Sequence, residues 1–178
     1  MIREAIILRH VKGKDVLDIG SVGQSQKYAF WGLIRNSAKS LTGIDTTPSS
    51  DKHIIQGNME TYAFKKKFDV ILAGDVLEHV ANQGLFLANV KKHLKKDGKF
   101  IITTPNAKWF TVILKPNPTH TLWHDKYTLT RILRMQGFTI DCFQYYYGNK
   151  PYYNFIKRIL AFRQSMLVIC RKSPVIKS

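Results

Sequence analysis

An α/β fold built on a mostly parallel sheet is the architecture that this sequence predicts. Short apolar runs of strand type alternate with segments of helical periodicity, the pattern of strand–helix–strand units. The strand-like runs also end, one after another, in small or polar residues. Length sets the scale: 178 residues, 44% of them hydrophobic and 22% charged, suffice for a single domain over 1–178 with its own core.

Val16-Leu17-Asp18-Ile19 reads as a first buried strand, and Gln24 to Lys39 as a helix with Phe30, Leu33 and Ile34 on one face. Leu41 to Ile44 forms a second strand that ends at Asp45 and a Thr-Thr-Pro-Ser-Ser loop, and His53 to Ile55 a third. Phe68 to Ala73 is a fourth. A helix from Val80 to Lys96 keeps Leu87, Val90 and Leu94 together and stops at Asp97-Gly98. Lys99 to Thr103 is a fifth strand, broken by Thr104-Pro105-Asn106. Tyr127 to Gln136 is a helix closed by Gly137, and Phe138 to Tyr147 and Met166 to Arg171 are the last strands. That makes about seven strands, with helices between the first five.

Lys and Arg number 28 against 12 Asp and Glu, a net charge of +16. This excludes a disordered acidic tail or a neutral structural module and points to polyanionic or membrane-surface partners, without itself showing nucleic-acid binding. Cys142 and Cys170, far apart and outside any CxxC, argue against a disulfide scaffold or a zinc site, and no metal ligands are assigned. Met1-Ile2-Arg3-Glu4 lacks the apolar stretch of a signal peptide. No apolar run approaches the roughly 18 to 20 residues that span a bilayer. The expectation is a soluble, reduced, cytoplasmic protein, with contact at the inner face of the membrane left open.

The sharpest local feature is Asp18-Ile19-Gly20-Ser21-Val22-Gly23-Gln24, directly after the first strand. A glycine turn between strand and helix lets backbone approach a ligand and aims helix N–H groups at it. It is neither a GxxxxGK phosphate loop nor a clean GxGxxG. The second strand ends Gly43-Ile44-Asp45, where a carboxylate can hydrogen-bond both hydroxyls of a ribose or else cap the following turn. The third loop carries Gly57-Asn58-Met59-Glu60, and the fourth strand runs into Gly74-Asp75-Val76-Leu77-Glu78-His79. All four ends lie on one edge of a parallel sheet, where such folds bind ligands.

Taken together these residues resemble the class I S-adenosylmethionine-dependent methyltransferases. The likeness rests on Val16 to Gly20, Thr42 to Asp45, Phe68 to Ile71 and Asp75 to His79. His93 to Lys99 with Ile101 to Asn106 matches the family's next helix–strand unit. Asn117 to His124 with Tyr127-Thr128-Leu129 and Gly137-Phe138 is similar to a subgroup associated with sugar and cell-envelope polysaccharide synthesis, and more distantly to quinone-pathway O-methyltransferases. The likeness spans residues 12 to 140. One departure is that Val22 and Gln24 occupy the second and third glycine positions of the family's Asp-x-Gly-x-Gly-x-Gly loop, with Gly23 between them.

The resemblance implies a Rossmann-like, seven-stranded, mostly parallel sheet with helices on both faces and an antiparallel last strand. It implies S-adenosylmethionine as cofactor, with residues 1–90 mainly binding it and residues 91–178 building the acceptor side. Asp18, Gly20, Ser21 and Gly23 would lie against its methionine and ribose, Asp45 with Thr46 beside the ribose hydroxyls, Asn58 at the adenine amine and Met59 on the ring. Asp75 would face the methionine end or the acceptor. A hydroxyl acceptor usually needs a base, and His79, His120 and His124 are the candidates. His79 can instead cap the helix at Val80, His120 and His124 can brace a loop around Trp123, and Glu78 is read as supporting helix geometry.

Other chemistries lack their motifs. No Asn-Pro-Pro-Tyr element for exocyclic amine methylation is present, nor a Pro-Cys nucleophile. Residues 145–163 interleave aromatics with Lys157, Arg158 and Arg163, with Phe155, Ile156, Ile159, Leu160 and Phe162 on one helical face. That segment is either a helix packed on the sheet or a surface for lipid, phosphate-bearing acceptors or nucleic acid. Residues 1–90 carry 11 Lys/Arg against 9 Asp/Glu, and residues 91–178 carry 17 against 3, so the excess of +14 lies in the second half. The expected activity is methyl transfer to a hydroxyl of a sugar, lipid-linked or other small molecule, of anionic character. The alternatives are an RNA methyltransferase and a catalytically silent nucleoside- or partner-binding domain.

Overall fold

The computed structural model describes residues 2–23, 30–109, 114, 117–146 and 164–174. Helix α1 (Ile2–Val11) leads into β1 (Asp15–Ile19). After it come α2 (Phe30–Ser37), β2 (Ser40–Asp45), β3 (Ile54–Gln56), β4 (Phe68–Gly74) and a 3₁₀ turn (Leu77–His79). Helix α3 (Gln83–His93), β5 (Leu94–Pro105), α4 (Lys126–Met135), β6 (Phe138–Tyr146) and β7 (Ser165–Lys172) complete the order.

The strands form one seven-stranded sheet in the order β3-β2-β1-β4-β5-β7-β6. The pairs among β1 to β5 are parallel. The last strand, β7, runs antiparallel to both β5 and β6, as the resemblance implied. Connections leave β1 towards β2 on one side and reach β4 on the other, which opens a crevice at the carboxyl ends between them.

Successive strand residues point to opposite faces, and the core divides accordingly. Val16, Val70, Leu72 and Ile101 face Ile6, Ile7 and Val11 of α1 and Phe30, Trp31 and Ile34 of α2. Leu17, Ile71, Phe100 and Ile102 face Phe86, Leu87 and Val90 of α3 and Leu129 and Leu133 of α4. Both faces are therefore covered, which is why β4 carries the continuous apolar run Val70 to Ala73.

Some element boundaries differ from the sequence reading. Helix α1 was not anticipated. Of the Gln24–Lys39 helix, Phe30–Ser37 is observed, while 24–29 lie outside the described residues. No helix separates β2 from β3 or β3 from β4 among the described residues. Helix α3 begins at Gln83, where the Asn82 side chain caps it by accepting from the Leu85 N–H, rather than at Val80. It ends at His93, and Leu94 already pairs with Phe68 in β5. Asp97-Gly98 thus lies in an irregular stretch of β5 and does not cap a helix. Gly98 is needed there for close packing, since a Cβ would come within 2.9 Å of Leu94 Cγ and 3.0 Å of the Asp69 carbonyl. Lys95 pins the same stretch, with its Nζ 3.1 Å from Asp15 and 2.9 Å from Asp69. The aromatic and basic segment at 147–163 lies outside the described residues.

Candidate active site

At the carboxyl end of β1, Asp18 is fully buried and neither carboxylate oxygen has a hydrogen-bond partner among the described residues. Burial raises its pKa to about 8; Arg3 opposes the rise and Asp45 adds to it. Gly20 follows with φ +75, and a Cβ there would meet Val76 Cγ2 at 2.5 Å, so only glycine fits this turn. Ser21 is buried with its hydroxyl likewise unpartnered among the described residues. Gly43 has no room for a Cβ between Ser21, Ile54 and Trp31, which lets the ends of β1 and β2 close up. Gly23 is exposed beside them.

At the end of β2, Asp45 is half-buried, its Oδ2 accepting from the Val22 N–H and its Oδ1 from the Thr47 N–H, both at 2.9 Å. Each oxygen keeps a lone pair for a further donor. Val22, in the position of a family glycine, therefore keeps its backbone function: its N–H joins the loop to β2. Thr46 is exposed, and so is Asn58, whose side chain accepts from the Glu60 N–H at 2.8 Å. Met59 is buried in the same core as Ile44.

Asp75 is the one non-glycine residue with positive φ (54) among the described residues, directly after β4. Asp tolerates this conformation, and its cost marks a built position. Three contacts from two elements hold it. Its N–H donates to the Thr103 carbonyl at 2.8 Å, Thr103 Oγ1 donates to Oδ1 at 3.2 Å, and Arg3 of α1 lies 3.2 Å from Oδ2. Arg3 also reaches the Tyr146 hydroxyl at 3.4 Å. A cleft lined by Arg3, Ile7, Asp18, Phe30, Gly74 and Thr103 opens between α1 and these strand ends.

The 3₁₀ turn carries the next group. Glu78 is 2% exposed, and its Oε2 accepts from Thr104 Oγ1 at 3.0 Å while Oε1 has no partner among the described residues. Burial first, then neighbouring Asp75, raises its pKa to about 7. His79 is exposed, with Nδ1 3.0 Å from the Thr119 carbonyl. Its ring stands edge-on to His120 at 4.7 Å between centroids, and His120 packs on Trp123 at 4.6 Å. Thr121 ties this loop to the turn by donating its N–H (2.8 Å) and hydroxyl (3.0 Å) to the Glu78 carbonyl. Burial and the adjacent His79 hold the His120 pKa down.

His124 is placed differently. It is buried, with Nε2 2.9 Å from the Gln83 amide nitrogen, and Gln83 also donates to the Leu77 carbonyl at 2.8 Å. Burial holds its pKa down. His124 thus braces the loop from behind, and His79 does not cap α3. The structure brings Asp18, Gly20, Ser21, Asp45 and Asp75 to one edge, with His79 and His120 adjoining. Arg3, Thr103, Thr104, Glu78 and Tyr146 complete the region; of these, sequence reasoning weighed only Glu78, as a support for helix geometry.

A parallel sheet with its ligand-facing residues at the switch point, closed by one antiparallel strand, defines a Rossmann-like methyltransferase fold. A methyltransferase domain profile matches residues 2–142, and the chain belongs to this family of S-adenosylmethionine-dependent enzymes. It is 30% identical over 107 residues to a ubiquinone biosynthesis O-methyltransferase of Rickettsia akari, an alignment covering 55% of this chain and 43% of that one. The chain thus spans less than half of that relative. Among solved structures, a SAM-dependent methyltransferase from Archaeoglobus fulgidus superposes with a TM-score of 0.73 at 19% identity, over 96% of this chain and 92% of the other. A 1,6-didemethyltoxoflavin-N1-methyltransferase from Burkholderia thailandensis, solved with S-adenosylhomocysteine, gives 0.71 at 19% identity over 96% and 76%. Among the described residues, no helix is long and apolar enough to cross a membrane.

Proposed function

We propose that the chain transfers a methyl group from S-adenosylmethionine to a hydroxyl of a small or lipid-linked anionic molecule, bound beside His79 and His120. The observation that carries this is Asp75, strained and triply anchored after β4, at the same sheet edge as the Asp18 carboxyl, which has no partner among the described residues. The residues suit the cofactor: a buried carboxyl and hydroxyl have no partner among the described residues and can meet a hydrogen-bonding ligand, and Asp45 retains acceptor capacity for a ribose diol. Asp18, Gly20, Ser21 and Gly23 would hold its methionine and ribose, Asp45 and Thr46 the ribose hydroxyls, and Asn58 and Met59 the adenine. S-adenosylmethionine supplies a methyl carbon already activated by a sulfonium.

The chain's own contribution is then positioning, which can be worth about 7–11 kcal/mol, together with care of the acceptor proton. On this reading the acceptor proton leaves towards His79 and His120, whose rings are in contact, and a neutral His120 can accept it. His124 positions the loop that carries His120. The oxygen preference is supported by the Rickettsia relative, an O-methyltransferase.

The test is a labelled-methyl transfer screen over sugar, lipid-linked, small phenolic and RNA pools, with a melting-temperature shift by S-adenosylmethionine as the binding check. Label in an anionic hydroxyl compound is expected. His120→Ala should cut turnover by about 10²–10⁴-fold if proton removal depends on it, with the cofactor-induced shift intact. Asp45→Ala should remove the shift. Label confined to RNA, or no shift for the unaltered chain, overturns the proposal.

A further inference from the structure

We infer that Glu78, His79 and His120 form a binding site for a divalent cation of the zinc type. Each offers one donor atom, and the three donors lie within 4.8 Å of one another. Two imidazoles and one carboxylate are a recurrent set for a catalytic zinc, and imidazole donors disfavour magnesium or calcium. The cysteines argue against a zinc site and the sequence reading assigns no metal ligands; that argument reaches only thiolate donors, and this site uses no sulfur.

Three details go beyond proximity. Glu78 is almost completely buried with Oε1 unpartnered among the described residues, while Oε2 is already taken by Thr104, so one oxygen is fixed and the other left over. A buried carboxylate oxygen without a partner is costly, and a cation removes the cost. His79 places Nδ1 against the Thr119 carbonyl. That bond puts the proton on Nδ1 and leaves Nε2 as a lone-pair donor, the usual outer arrangement of a ligating histidine. His120 Nδ1 is buried and unpartnered among the described residues, which leaves a ring nitrogen there for a ligand. The Thr121 clasp on the Glu78 carbonyl holds the two halves of the set together before any cation arrives.

Three protein donors leave at least one position on the cation for water or a substrate oxygen. Placing the acceptor hydroxyl there rests on the methyl-transfer reading; cation binding itself does not. A bound cation would lower the pKa of that hydroxyl, as it does for water. The histidines would then act as ligands, and the proton would pass to solvent.

The experiment uses the whole chain without an affinity tag, stripped with chelator and titrated with Co²⁺ by visible absorption and with Zn²⁺ by calorimetry. One equivalent is expected to bind, with the intense absorption of low-coordinate Co²⁺. His79→Ala and His120→Ala should each weaken binding at least about 10–100-fold, since even outer partners of metal ligands have effects of that size. His10→Ala, on α1 away from the cluster, should change nothing. Glu78→Gln keeps the side chain's shape and tests the carboxylate charge, and cation-free melting of every variant reports whether it folds. No stoichiometric binding by the folded chain, or binding unchanged in both His79→Ala and His120→Ala, overturns the inference. Cofactor-induced stabilisation measured alongside separates the two readings: without it a bound cation stands and methyl transfer falls, and the reverse result sinks only the cation.

Discussion

Asp18 sits where solvent does not reach, with no hydrogen bond to its carboxyl among the described residues. Its folded pKa, about 8, lies above the ordinary 3.8, so the folded state holds a proton that the unfolded chain has lost. Stability therefore declines as pH rises from about 4 through 8. Asp18→Asn should raise the melting temperature of the cofactor-free chain, little at pH 4–5 and most at pH 8. An unsatisfied buried group costs about 1–3 kcal/mol, and each kcal/mol is about 2–4 °C in a chain of this size. The same change should weaken S-adenosylmethionine binding. Melting scans at pH 5 and pH 8 with and without cofactor check both; equal melting temperatures at pH 8 would refute the burial argument. Asp18, Asp45 and Asp75 were legible because each ends an apolar strand. Arg3 and Tyr146 were not, because no spacing rule brings residues 3, 75 and 146 together; a shared sheet edge does.

Among the elements, α4 has the most explicit start signal. Asp125 Oδ1 accepts from the Thr128 N–H at 2.8 Å, the Thr128 hydroxyl accepts from the Asp125 N–H at 2.9 Å, and Lys108 Nζ lies 2.9 Å from Oδ2. These partners, the Thr128 N–H foremost, lower the Asp125 pKa to about 2. A depressed carboxyl stabilises above its unfolded pKa of 3.8 and loses that contribution as pH falls through about 2. Asp125→Ala should thus cost about 0.5–2 kcal/mol at neutral pH and almost nothing near pH 2, read from denaturant midpoints. Element types were mostly readable, and the misreadings have local causes. Ala5-Ile6-Ile7-Leu8 is a continuous apolar run that hides the buried stripe Ile6, Ile7 and Val11 of α1. Asp-Gly at 97–98 is the same signal for a helix stop and for an irregular strand, and only packing against Leu94 and Asp69 decides.

For the molecule as a whole, the fold class was the most legible feature, because strand–helix alternation is spread over the chain and survives local errors. The charge division is equally global: residues 91–178 hold 17 Lys/Arg against 3 Asp/Glu. Under the proposed function, the KM for an anionic acceptor should rise as salt goes from low to about 0.15 M, where the screening length is near 8 Å. The KM for S-adenosylmethionine, which on the same proposal binds mainly within the nearly neutral residues 1–90, should move less. Equal salt sensitivity of the two would assign the excess charge to solubility.

Strand β7 comes last in the chain yet lies between β5 and β6. During synthesis β6 emerges first, before β7, its one sheet partner among the described residues, has been made. Until residues 165–172 arrive, the fully buried edge residues of β5, among them Phe100 and Ile102, border an open ladder. Such an edge invites pairing with another chain. Strand β7 therefore acts as a keystone: β1 to β5 can pair as they are made, but the β5 ladder closes only once residues 165–172 have emerged, and a chain interrupted within β7 carries a sticky half-sheet.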